Sequence, residues 1–324
     1  MNKSKVILAV NNLSKSYSST AILKAIDLEL REGEWLAILG ESGSGKSTLL
    51  KIIGRFLDAD EGEVYFENTK LPEVRNKLIP GHDAIKLIHQ EFELFPNQTV
   101  EENIGYSLRF YEPEYRNEKV EELLNLTSLT HVKQKKAKLL SGGEKQRTAI
   151  AKSIAEEPAV LLLDEPFAHL DNHNKRVLAS SIERLRTIQK TSCVFVTHEA
   201  SDALAWSDRI AILRNGEIVQ IGTPIEVYTQ PVNAYVAELT GDINWLKMDN
   251  ENPSFIRPEK LRKVKSKEKS KWAGKVTALY FYGNFWKVKG ENDEGELTAY
   301  RQRPDVAVGD EIYFAFADKD ITQI

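Results

Sequence analysis

The stretch Gly40-Glu41-Ser42-Gly43-Ser44-Gly45-Lys46-Ser47 constrains the fold more than any other part of the chain. It fits the spacing G-x-x-x-x-G-K-[ST], follows the apolar run Trp35 to Leu39 and precedes the helix-like run Thr48 to Phe56. That strand, loop and helix order is what a phosphate-binding loop requires. Glycines at 40, 43 and 45 let successive backbone N–H groups converge, and side chains at Gly43 or Gly45 would block the approach of phosphate oxygens. The helix N-terminus behind them adds partial positive charge. A nucleoside triphosphate fits such a cradle, with Lys46 reaching the β- and γ-phosphates and the Ser47 hydroxyl ligating Mg²⁺. Ser42 and Thr48 belong to the same cradle.

A second buried strand supplies the carboxylates. Ala159 to Leu163 is uninterruptedly apolar and ends in Asp164-Glu165-Pro166, the pattern of a central parallel strand covered on both faces that delivers acids at its C-terminal edge. Asp164 is the expected Mg²⁺ partner, and Glu165 is placed to polarise an attacking water. Alone, the pair would read as the start of a solvated loop; the phosphate loop in the same chain changes that reading.

Leu140-Ser141-Gly142-Gly143-Glu144-Lys145-Gln146-Arg147 decides how the site is used. Ser141 with Glu144 forms a capping box that opens a helix through Ile150, so Ser141, Gly142 and Gly143 stand where N–H groups point at an anion. Capping explains Ser141 and Glu144 but not paired glycines, which cost helix stability unless another group approaches the backbone closely. With this string the chain resembles the nucleotide-binding subunit of an ATP-binding cassette (ABC) transporter. The resemblance implies an ATPase in which two copies sandwich ATP head to tail, Ser141 to Gly143 of one completing the phosphate loop of the other. It also implies roles for residues whose chemistry alone is ambiguous: Tyr17 stacking on adenine, Gln90 touching metal and lytic water, His198 contacting the γ-phosphate, and Asp171 as the D-loop aspartate across the dimer. His89, and Ala168-His169, depart from commoner residues without replacing a group that does the chemistry.

With 324 residues, 41% hydrophobic and 28% charged, the chain can bury a full core and has room for about two domains. No apolar run approaches the ~20 residues that span a bilayer, and Met1-Asn2-Lys3-Ser4-Lys5 lacks a signal-peptide core, so a cytosolic protein is expected. Cys193 is the only cysteine, which excludes disulfide frameworks and zinc clusters; its strand-like surroundings predict a buried thiol. A net charge of -4 gives no global reason to bind nucleic acid. The basic run Lys260 to Lys275 reads as a solvated linker or a lysine-protected edge strand, with an anionic membrane surface as the alternative.

Residues 1–235 read as an α/β ATPase domain, an ABC-type P-loop NTPase core. Its strand-like segments, among them Val6 to Val10, Ala25 to Leu30 and Val64 to Phe66, alternate with helices, and residues of about 97–155 form a helical subdomain. Asn215-Gly216 predicts a tight hairpin turn. Residues 236–324 carry β-like runs (Lys275 to Tyr282, Phe285 to Val288, Glu296 to Tyr300, Glu311 to Phe316) punctuated by glycines, suggesting a small antiparallel barrel. Phe255-Ile256-Arg257-Pro258-Glu259 and Gly274-Lys275-Val276 resemble the start of the TOBE domain of ABC importer ATPases, with a structural β-cap and a ligand-binding regulator as equal readings of its role. The resemblance therefore implies an importer ATPase with ATP and Mg²⁺, a second copy of itself, transmembrane permease subunits and, indirectly, an extracytoplasmic binding protein. It places the chain on the inner face of the cell membrane and leaves ferric iron, molybdate or sulfate, polyamine or sugar as cargo. A soluble ABC ATPase acting on nucleic acid or ribosomes is the alternative.

Overall fold

Alternating apolar and charged residues in Leu23-Lys24-Ala25-Ile26-Asp27-Leu28-Glu29-Leu30 make one face of an antiparallel sheet, and the chain uses it at once. Strands β1 (Val6–Tyr17) and β2 (Thr20–Arg31) form a hairpin. The apolar strand β3 (Trp35–Leu39) follows, then helix α1 (Lys46–Ile53), β4 (Glu61–Phe66), β5 (Thr69–Lys70) and β6 (Ile85–Ile88). Next come α2 (Val100–Gly105), α3 (Pro113–Leu126) and α4 (Gly142–Ile154), then β7 (Val160–Asp164), α5 (Asn172–Gln189), β8 (Ser192–Thr197), α6 (Ala200–Trp206), β9 (Arg209–Arg214) and β10 (Glu217–Gly222). The structure, a computed structural model, describes residues 5–89, 93–168, 170–246 and 253–324. It divides into two compact units, Met1–Pro224 and Ile225–Ile324.

Two sheets build the first unit. The six-stranded sheet has the order β10-β9-β3-β8-β7-β6; the pairings β9 to β3, β3 to β8, β8 to β7 and β7 to β6 are parallel, and β10 joins the edge antiparallel. Every residue of β3 and β8 is buried, as expected of parallel strands covered on both faces. The other sheet is antiparallel, β2-β1-β4-β5. Val6 to Val10, Ala25 to Leu30 and Val64 to Phe66, expected from the sequence within the alternating α/β core, lie in this second sheet instead. A period of two identifies a strand but not its partners, and only two residues separate β1 from β2, too few for the crossover a parallel pair needs. Asn215 (φ 51°) and Gly216 (φ 81°) form the expected hairpin turn between β9 and β10, and the Gly216 carbonyl accepts from Lys24 N at 2.9 Å, tying the turn to β2.

Helices α2 and α4 begin with complete capping boxes, Thr99 with Glu102 and Ser141 with Glu144. Cys193 is fully buried. Among the described residues no helix is long and apolar enough to cross a membrane.

The second unit starts with short helices, α7 (Pro224–Thr229) and α8 (Ala234–Thr240), followed by β11 (Asn244–Leu246), β12 (Ser254–Ile256), β13 (Arg262–Lys263), β14 (Trp272–Phe281), β15 (Trp286–Asn292), β16 (Gly295–Arg301), β17 (Glu311–Ala315) and β18 (Ile321–Gln323). The strands form two antiparallel sheets, β11-β12-β18 and β13-β17-β14-β15-β16, around a core of Ile256, Leu261, Trp272, Val276, Val288, Leu297, Ile312 and Phe314. The four long runs are visible in the sequence; β11, β12, β13 and β18 are too short to carry a periodic signal. In the Lys260 to Lys275 run, Arg262–Lys263 is an edge strand.

Arg257 organises this unit. Its buried guanidinium donates to the carbonyls of Tyr228, Ala237 and Gly241 at 2.9 to 3.0 Å and to Thr240 Oγ1 at 3.0 Å, so one side chain satisfies the C-terminal ends of both α7 and α8. It also lies 4.1 Å from the Tyr228 ring centroid. Lysine cannot fork to two helix ends. Arg257→Lys should lower the stability of the second unit by about 2–4 kcal/mol, measured as a downshift of its transition in scanning calorimetry.

Candidate nucleotide site

The site assembles because neighbouring parallel strands end together. Leu39 pairs with Thr197, Asp164 with Val196 and Ile88 with Leu163, so the residues following β3, β8, β7 and β6 emerge on one sheet edge. From β3 comes the loop Gly40 to Gly45. Gly45 caps α1 in the left-handed region (φ 105°), and a Cβ there would lie 2.8 Å from Leu23 Cδ2 and 2.9 Å from the Ile22 carbonyl oxygen. Its glycine is therefore demanded by β2 as well as by the turn. Gly43 (φ 83°) has nothing among the described residues within 4 Å of its would-be Cβ, so the loop is open there.

Lys46 is only 5% exposed, and its Nζ donates to the carbonyls of Gly40 and Glu41, both at 2.8 Å, holding the ammonium inside the loop. Burial pushes its pKa down, against the pull of Glu165, Asp164 and Glu41. The buried Ser44 hydroxyl has no hydrogen-bond partner among the described residues. A half-satisfied ammonium and an orphan hydroxyl in a positive-φ loop are the chemistry of an anion cradle.

Ser47 Oγ donates to Asp164 Oδ1 at 3.0 Å, joining the loop to the end of β7. Burial raises the Asp164 pKa and the neighbouring Glu165 adds to the rise, while the Ser47 hydrogen bond opposes it. Glu165 has φ 49°, a left-handed conformation that costs a non-glycine residue on the order of 1–3 kcal/mol, and its N–H donates to the Val196 carbonyl at 3.1 Å. His198, following β8, stands with Nδ1 3.1 Å from Glu165 Oε1. The strained backbone thus delivers the carboxylate to the imidazole. Gln90 lies outside the described residues.

Ser141 to Gly143 form a separate anion-ready surface. The Ser141 hydroxyl accepts from Glu144 N at 3.3 Å, Glu144 Oε2 accepts from Ser141 N at 2.7 Å, and Lys135 pairs with Glu144 at 3.4 Å. No hydrogen bond among the described residues joins this segment to the Gly40 to Thr48 loop of its own chain. The two glycines differ. A Cβ at Gly143 would fall 2.6 Å from Asn174 Oδ1, so an intrachain contact accounts for it, whereas Gly142 meets nothing within 4 Å among the described residues.

The ABC transporter family profile matches residues 23–168. The spermidine/putrescine import ATP-binding protein PotA of Bacillus cereus is 35% identical over 327 residues, covering 98% of this chain and 98% of that protein. PotA of Clostridioides difficile is 33% identical, covering 97% and 96%.

This chain belongs to the ABC transporter family, as an ATPase subunit.

Among solved structures, cbiO1 of Clostridium perfringens, part of the ABC transporter complex cbiONQ, superposes with a TM-score of 0.62 at 28% identity over 69% of this chain and 91% of that one. A dimeric ATP-binding cassette in a post-hydrolysis state bound to ADP and Pi superposes with a TM-score of 0.59 at 32% identity over 67% and 99%.

Two expected residues of this ABC ATPase make no hydrogen bond to the phosphate loop among the described residues. Tyr17 ends β1 half-exposed, with Lys15 Nζ 5.8 Å from its ring centroid. Asp171 caps α5, accepting from Asn174 N and Asn174 Nδ2 at 2.8 Å each, and those bonds hold its carboxyl below the usual range. Sequence reading missed Ser44, Gln146, Arg147 and Asn174. Gln146 and Arg147 carried a signal, since polar residues three and four positions after Gly143 share its helix face.

Asp164 gives a pH-dependent test. A carboxyl whose pKa is raised by folding subtracts stability above its unfolded value and stops doing so once pH falls below that value. Nucleotide-free Asp164→Asn should therefore be more stable than the native chain by up to about 1 kcal/mol near neutrality, and the difference should vanish toward pH 4, followed by thermal melts across pH.

Proposed function

We propose that this chain is the ATP-hydrolysing subunit of a binding-protein-dependent importer, in which two copies close head to tail on ATP and the closure drives a membrane permease. The observation that carries this reading is Gly142, a glycine at an exposed helix start with no neighbour among the described residues of its own chain to require it. A partner's triphosphate would supply that neighbour.

The residues divide the work as follows. Lys46 and the loop N–H groups bind the β- and γ-phosphates, and Tyr17 stacks on adenine. Ser47 Oγ and Asp164 Oδ1, hard oxygen donors 3.0 Å apart, would hold Mg²⁺, with waters and phosphate oxygens completing its shell. The ion supplies charge neutralisation at the phosphates. Glu165 orients and polarises the attacking water while His198, at 3.1 Å, holds that carboxylate and meets the γ-phosphate. Gln90 joins metal and water, and Asp171 meets the partner across the interface.

Full-length likeness to import ATP-binding proteins favours the importer over a soluble ATPase acting on nucleic acid. We assign the ATPase to the first unit and a TOBE-type domain to the second, the whole acting at the cytoplasmic face through the permease. The PotA relatives point to a polyamine as cargo.

Glu165→Gln should lower turnover by at least about a hundredfold while the variant still binds ATP and accumulates as dimer on size exclusion; normal turnover would remove Glu165 from its role. Gly142→Val should keep the native melting temperature and lose ATP hydrolysis, because the side chain meets only the partner's nucleotide. Melting and phosphate release on the same preparation check both halves. In vesicles containing the permease, a binding protein loaded with spermidine or putrescine should stimulate hydrolysis, and stimulation only by an anion or sugar would redirect the cargo assignment.

A further inference from the structure

Helix α4 carries more than the segment it offers to a partner. Gly143, Gln146 and Arg147 are all buried and spaced i, i+3, i+4, so they form one face of the helix. That face rests on the chain's own catalytic strand and the cap of α5. Gln146, 4% exposed, donates through Nε2 to the carbonyl of Pro166, the residue directly after Glu165. One turn away, Gly143 backs onto Asn174, whose amide accepts from Arg147 Nη1 at 3.5 Å and donates to Asp171 Oδ2 at 2.8 Å. Arg147 Nε is buried with no hydrogen-bond partner among the described residues. The helix whose start would meet one nucleotide is thus bolted to Pro166 and, through Asn174, to Asp171, beside residues that serve the other.

We infer that Gln146 is a positioning residue for the ATPase reaction: its bond to the Pro166 carbonyl fixes Glu165 in its left-handed conformation and ties that conformation to the position of Ser141 to Gly143. The inference rests on the shared-site reading above. Glu165 is held on one side by the Val196 carbonyl, which accepts its N–H, and by His198. On the other side the Glu165 carbonyl accepts from Ala168 N at 3.1 Å, and the Gln146 bond anchors the next peptide through the Pro166 carbonyl, because proline has no N–H with which to hold itself. A helix displaced by closure on nucleotide moves Pro166 with it, and therefore moves the carboxylate that activates water. Closure at one pocket is in this way reported to the base of the other.

The test uses the full-length chain with Gln146→Met, which keeps the volume but donates nothing, and Gln146→Glu, which sets a carboxylate against the Pro166 carbonyl. Expected for Gln146→Met is a fall in kcat of about three- to thirtyfold, with KM and directly measured ATP affinity within about twofold and an unchanged melting temperature. Gln146→Glu should lose more turnover with ATP affinity again within about twofold, its buried carboxylate also lowering the melting temperature. In the Glu165→Gln background, Gln146→Met should still form the ATP-dependent dimer. Native kcat in Gln146→Met overturns the inference, as does a loss of turnover matched by loss of ATP affinity and of melting temperature, which would mean packing alone. If the native chain neither hydrolyses ATP nor dimerises with it in the Glu165→Gln form, the shared-site reading fails first and takes this inference with it.

Discussion

Everything at the nucleotide site depends on the parallel register of β3, β8, β7 and β6. Four neighbouring strands that run the same way must end at the same edge, and the turns that leave them carry Gly40 to Lys46, His198, Asp164 with Glu165, and His89. No single loop could gather an ammonium, a hydroxyl, two carboxylates and an imidazole with such short reach. The strands can do so because β3 and β8 are buried on both faces and cannot slide without exposing apolar side chains.

That rigid edge is used to hold groups in states they would not choose. Among the described residues the desolvated Lys46 ammonium has only backbone carbonyls as acceptors and the Ser44 hydroxyl has no partner, while Asp164 is pushed toward its neutral form and Glu165 sits at positive φ. Each is a cost to the empty fold, and each is of a kind relieved by a polyanion with its cation. Arg257 in the second unit shows the contrasting case. Its guanidinium is as buried, yet it finds carbonyls at two helix ends and stabilises the fold it sits in.

The local devices are legible in the residue order itself. The phosphate loop, both capping boxes and the Asn215-Gly216 turn depend on residues within a few positions of each other, and the physics of each is complete at that range. Strand partners are not legible in the same way: Val6 to Val10, Ala25 to Leu30 and Val64 to Phe66 look like any other strands until the sheet they join is known. Gly143 is the most instructive residue. Paired glycines after Ser141 suggest one common reason, and the fold gives them two: Asn174 from its own chain for Gly143, and open space for Gly142.

The amino-acid order by itself determined the chemistry, because phosphate cradles, strand-end carboxylates and capped helix starts are set by neighbours along the chain. The tertiary structure alone decided which of these groups meet, how Glu165 is strained toward His198, and how helix α4 grips Pro166 and Asn174. Those facts rest on contacts between residues far apart in sequence, whose free energy exists only once the backbone has closed around them.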